Sequence, residues 1–145
     1  MTTIEDAVRA WSRGIYPTEA GVELLIRQGK AIYNGAPWII PLEQRSGAPA
    51  MASIDVDELL YESGAWSGGE QRVVRIAASL LGGPAIDLAE EIPGVDRERM
   101  ALVLAAFAHA NGSHEHSGMK FDNNGQPSGF TRLTSLYPWP IDGAA

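Results

Sequence analysis

Apolar residues recur at helical spacing over much of the chain. Ile4, Ala7, Val8 and Trp11 stand at i, i+3, i+4 and i+7, the stripe of an amphipathic helix running to about Arg13, and Thr2 with Glu5 has the spacing of a capping box at its start. A second stripe, Val22, Leu25 and Ile26, follows Pro17, which suits a helical first turn. It stops at Gly29, which tolerates the left-handed conformation that closes helices. The period then changes. Ala31-Ile32-Tyr33 and Trp38-Ile39-Ile40 flank Asn34-Gly35, a pair that readily takes positive φ, so the pattern predicts a β-hairpin with Pro37 and Pro41 restricting its second strand to an edge.

Residues 44–53 are a small-residue stretch that fits a surface loop or a seam between two subdomains, and is read as the seam. Beyond it, Asp55 with Glu58 caps a short helix carrying Leu59 and Leu60 and broken at Gly64. Val73, Val74, Ala77, Leu80 and Leu81 mark a fourth helix, with Arg72 and Arg75 off the centre of its stripe and Gly82-Gly83-Pro84 as its stop. Residues 86–92 predict a fifth, short helix ended by Pro93-Gly94. Asp96 caps a sixth, long one with Met100, Val103, Leu104 and Phe107 on one face. From Ser113 the helical period is lost; Met119–Phe121 and Phe130–Leu133 can pair across Asp122-Asn123-Asn124-Gly125, and Leu136 to Pro140 reads as extended.

Composition narrows the classes. The chain has 145 residues, 45% hydrophobic and 20% charged, an ordinary size and make-up for one domain with a real core. There is no cysteine, which removes disulfides, thiolate metal sites and thiol nucleophiles. The N-terminus has neither a basic nor an apolar leader region, and 100–112 is too short and too polar to cross a bilayer, so a cytoplasmic protein without membrane contact is expected. A net charge of −7, spread along the chain, opposes nucleic acid at long range.

Candidate chemistry is sparse. His109, His114 and His116 lie within eight residues of one another, and imidazole with a neighbouring carboxylate suits zinc or another transition metal, although the spacing matches no established motif. Asp122-Asn123-Asn124-Gly125 lacks the acidic closing position of a calcium loop and reads as a turn. No Gly-x-Ser-x-Gly elbow is present, and the pairs Asp55/Asp57 and Glu90/Glu91 are explained by helix caps and solvated faces, so no catalytic residue and no cofactor is expected.

Two stretches resemble known families. Ser67-Gly68-Gly69-Glu70-Gln71-Arg72-Val73 resembles the signature motif of ABC ATPases, in which a helix N-terminus meets a nucleotide phosphate. The phosphate loop such an enzyme requires is missing, because the two lysines, Lys30 and Lys120, are in other contexts, and Ser67 with Glu70 reads more simply as a capping box. From Trp66 to Gly112, the order of helix, short helix, turn and long helix resembles the three-helix core of winged-helix regulators, with the hairpin at 119–133 in the place of the wing. That resemblance implies DNA contacts from Arg72, Arg75, Arg97, Arg99 and Lys120. Glu98 and Asp122 stand among these residues and weaken phosphate neutralisation.

The expected fold is therefore α+β and mainly α: an N-terminal helical pair with a β-hairpin (1–43), a winged-helix-like three-helix bundle (54–133) and an irregular tail (134–145), all within a single domain. The expected function is that of a non-enzymatic, acidic accessory or regulatory protein acting through protein–protein contact, with a protein partner or a second copy. Tyr137 and Trp139, aromatic residues in a terminal segment with little reason to be apolar unless it docks, are the candidate contact residues. The alternatives are a DNA-binding regulator, which needs the basic residues to converge on one surface, and a metal-dependent hydrolase, which needs the three histidines to converge on a point.

Overall fold

A computed structural model describes residues 2–141. Six α-helices and two small antiparallel sheets make an α+β, mainly helical fold: α1 (Ile4–Ser12), α2 (Tyr16–Gln28), β1 (Ile39–Pro41), β2 (Ala52–Ile54), α3 (Val56–Glu62), α4 (Gly68–Leu80), α5 (Leu88–Glu91), α6 (Arg97–Ala110), β3 (Ser117–Phe121) and β4 (Pro127–Arg132). Capping chemistry sets most of the helix starts. The Asp55 and Asp96 side chains accept from the backbone N–H groups of Glu58 and Arg99, and Ser67 with Glu70 forms a complete capping box at α4. At α1 the cap is Thr3, accepting from Asp6 N, one residue beyond the expected Thr2–Glu5 pair. Gly29 closes α2 at φ 88°.

The predicted hairpin at 31–40 does not form. A two-residue turn of that kind needs positive φ at both central residues, and of the pair only Gly35 has it, at 87°; no non-glycine residue does among the described residues. The chain turns at Tyr33–Ala36 and again at Ala36–Ile39, which tucks Trp38 beneath the turn, where its Nε1–H donates to the Ala31 carbonyl at 2.7 Å. The strand that follows pairs instead with residues from the small-residue stretch, in the register Ile39↔Ile54, Ile40↔Ser53 and Pro41↔Ala52. Ile39, Ala52 and Ile54 face inward and Ile40 faces solvent, the alternation of a ribbon with one buried face.

Helix α2 lies at the centre, packed against α1, α4 and α6. Ala20, Gly21, Val22, Leu24 and Leu25 are all buried, and one apolar cluster runs from Ala7 through Trp38 and Leu59 to Val103 and Ala106. The close approach of α2 to α4 rests on Gly21: a Cβ there would lie 2.9 Å from the Ala77 carbonyl oxygen and from Leu81 Cγ. Around α6 apolar residues stand on nearly every side, and the buried ones are Val103, Ala105 and Ala106, whereas Leu104 is exposed.

The β3–β4 ribbon forms between the segments expected to pair, with Met119 opposite Phe130 and a register shift after Lys120. None of the described helices is long and apolar enough to cross a membrane.

Candidate functional site

The N-terminal turn of α2 and the C-terminal turn of α6 meet at a cleft of about 390 Å³ lined by Arg9, Arg13, Glu19, Glu23, His109, His114 and Trp139, together with Ser12. Glu19, in the first turn of α2, places Oε1 2.8 Å from His109 Nε2, and its Oε2 accepts from the Gly14 N–H at 2.8 Å. Burial pushes the Glu19 carboxyl up, but these two hydrogen bonds outweigh it and hold the group below its ordinary value.

After α6, Gly112 takes φ 80° and turns the chain so that His114 stacks on His109, ring centroids 4.0 Å apart and planes within 14°. Glycine is needed there twice over, for the left-handed turn and because a Cβ would press to 3.1 Å from the Tyr16 ring. Tyr16 meets His114 edge-on at 4.9 Å. Burial lowers the His114 pKa, helped by the neighbouring His109, and its Nδ1 is buried without a hydrogen-bond partner.

Beside the histidines, Glu23 joins two helices and the tail. Arg9 of α1 grips its carboxylate with two hydrogen bonds, 3.0 and 2.9 Å, and Arg27 adds a third at 3.3 Å while donating to the Pro140 carbonyl at 3.0 Å. Burial raises the Glu23 carboxyl, and the Arg9 hydrogen bonds and charge, seconded by Arg27, bring it net below its ordinary value. A carboxyl with a lowered folded-state pKa stabilises the fold fully above its unfolded value of about 4.3 and loses that contribution as pH falls through the folded value. Glu23→Gln is therefore expected to cost about 1–3 kcal/mol at neutral pH. The gap from the unaltered protein should close on acidification below about pH 4, as read by urea unfolding at stepped pH; a gap constant with pH would contradict this account.

The structure distributes the other candidate residues differently from expectation. His116, grouped in the sequence with His109 and His114, is outside the cluster: it is exposed at the root of the ribbon, and the third member is Glu19. Trp139, expected to meet a partner, is half-buried over Arg27, 5.0 Å from guanidinium carbon to ring centroid, and tilted against His109. The tail thus packs on α2 and α6, and its Leu136 N–H is held by Ser113 Oγ at 2.7 Å. Tyr137 stays 40% exposed.

Of the basic residues, Arg75 pairs with buried Glu91 at 2.8 Å and Arg72 donates to the Glu90 carbonyl, so both serve to hold α5 on α4. Arg99 pairs with its own cap, Asp96, whereas Arg97 and Lys120 are exposed and make no ion pair among the described residues. On α6, Ala105 is buried and His109 is bonded to α2. The Ser67–Val73 stretch resembling an ABC signature is the capping box and first turns of α4, with Lys30 on Glu70 at 3.1 Å.

The ribbon is the second candidate. Met119, Phe121 and Phe130 stand on one face of it, 50%, 61% and 75% exposed. In comparisons with protein families, with curated proteins and with solved structures, nothing matches this chain.

Proposed function

We propose that this chain is a non-enzymatic accessory or regulatory protein that acts through protein–protein contact, and that the apolar face of the β3–β4 ribbon is the contact. The observation that carries the reading is that face itself: two phenylalanines and a methionine side by side, half or more of each in solvent, on strands whose outer edges have no partner among the described residues. Two-stranded ribbons are marginal alone, and exposed strand edges are templates for pairing with another chain. Aromatic residues are enriched among those that dominate binding energy.

The occupant we assign is a second copy of the chain. The net charge of −7 opposes self-association at long range, but residues 113–135 carry Glu115, Lys120, Asp122 and Arg132, two of each sign, so this surface does not repel its own copy. In a two-fold contact the same patch serves both partners, which a continuous apolar face with balanced charge suits.

Sedimentation velocity through the micromolar range tests this. A concentration-dependent monomer–dimer equilibrium is expected, shifted to monomer by the double substitution Phe121→Ser and Phe130→Ser with little change in thermal midpoint, since neither ring is in the core. A chain that stays monomeric throughout, or a dimer indifferent to both substitutions, would overturn the proposal.

A further inference from the structure

We infer that Glu19, His109 and His114 form a binding site for one divalent transition-metal ion of the zinc class. Each residue offers one ligand atom, a carboxylate oxygen or an imidazole nitrogen, and the three atoms lie within 4.8 Å of one another. Two histidines and one glutamate are a donor set of zinc sites that keep a fourth position open. Magnesium and calcium favour all-oxygen sets and fit poorly.

The site is built, not a chance meeting of surface side chains. Its members come from the start of α2, the end of α6 and the turn before β3. Each is held from outside. The Gly14 N–H fixes the Glu19 oxygen that faces away from His109, and the Tyr16 edge and the Gly112 turn fix the stacked rings. Outer contacts of this kind orient metal ligands. The orphaned His114 Nδ1 is an independent observation: a buried ring nitrogen with no partner is a cost that the helix-packing role of these residues does not explain.

The cleft gives an ion a way in and leaves room for water or a small anion at the remaining position, beside Arg13, which makes no ion pair among the described residues. Binding would replace the Glu19–His109 hydrogen bond with two ligand bonds to one ion. It would clip the root of the β3–β4 ribbon, three residues beyond His114, to both central helices. This inference does not depend on self-association through the ribbon.

The test uses the full chain, stripped with chelator and dialysed. Cobalt(II) is titrated in and followed by its visible absorption, then displaced with zinc, and zinc binding is measured by calorimetry. One ion per chain is expected, with a cobalt spectrum of low coordination number. Glu19→Gln and His114→Ala should each weaken zinc by at least the roughly tenfold that even an outer-shell change produces, whereas His116→Ala leaves it unchanged. A thermal midpoint for each variant shows whether it is folded, and the intact chain decides the matter if one is not. No zinc binding by the intact chain at micromolar concentrations, or equal loss with His116→Ala, overturns the assignment.

Discussion

Trp38→Ala should lower stability by about 3–5 kcal/mol, which for a chain of this size is a fall of roughly 10–20 °C in thermal midpoint. Trp38 is 3% exposed, lies edge-on to Tyr33 and Trp66, and is the side chain around which residues 31–39 fold back. Removing it leaves a cavity under the turn and an unpaired Ala31 carbonyl. Trp38→Phe separates the two effects: it keeps most of the volume and loses the hydrogen bond. Its expected cost is the smaller one of a buried carbonyl left unsatisfied, about 1–3 kcal/mol. Equal midpoints for the two variants would show that cavity formation contributes nothing, contrary to this account.

The second large effect is at Gly21. A glycine inside a helix ordinarily costs about 1 kcal/mol relative to alanine, so in open space Gly21→Ala would stabilise α2. Here the new methyl would stand 2.9 Å from the Ala77 carbonyl oxygen, a backbone atom that moves only if α4 moves. Overpacking of this kind costs about 1–3 kcal/mol, so alanine should come out neutral to mildly destabilising. Gly21→Val, larger and stiff at χ1, should lose at least about 3 kcal/mol. Chemical unfolding of both variants checks the order; a stabilised Gly21→Val would mean that the helices are not in contact there.

What the sequence made legible was local. The caps at Asp55, Ser67 and Asp96 and the stop at Gly29 were readable because each depends on a few consecutive residues, and the structure has all of them. Asn34-Gly35 was readable as a turn but not as a hairpin. Whether strands continue from a turn depends on what lies beyond it, here a tryptophan that gains more from burial and the Ala31 carbonyl than from extension. On α6 the apolar residues surround the axis, so the period put Leu104 on the inner face, where the structure has Ala105 and Ala106 buried with Val103 and leaves Leu104 exposed.

The cleft shows the same division more sharply. The histidine cluster drew attention to two of its three proposed ligands because they are close in sequence. Glu19 carried no local signal: it is 90 residues from His109 and stands in a first turn, where a carboxylate is already favoured by the helix dipole. The bracketing of Glu23 by Arg9 and Arg27, and the return of Trp139 to that surface, are likewise products of tertiary packing that no spacing rule reaches.

The central position of α2 also bears on how the chain comes to be folded in a cell. The partner it packs against extensively, α6, starts about 70 residues after α2 ends. At translation rates of about 5–20 residues per second, Val22, Leu24 and Leu25 therefore wait roughly 4–14 s for that cover. Through that interval the nascent chain displays a sticky helix covered by α1 and, once it is made, by α4, but not yet by α6, so the ribosome-bound stage is one at which this protein is exposed to aggregation and to capture by chaperones.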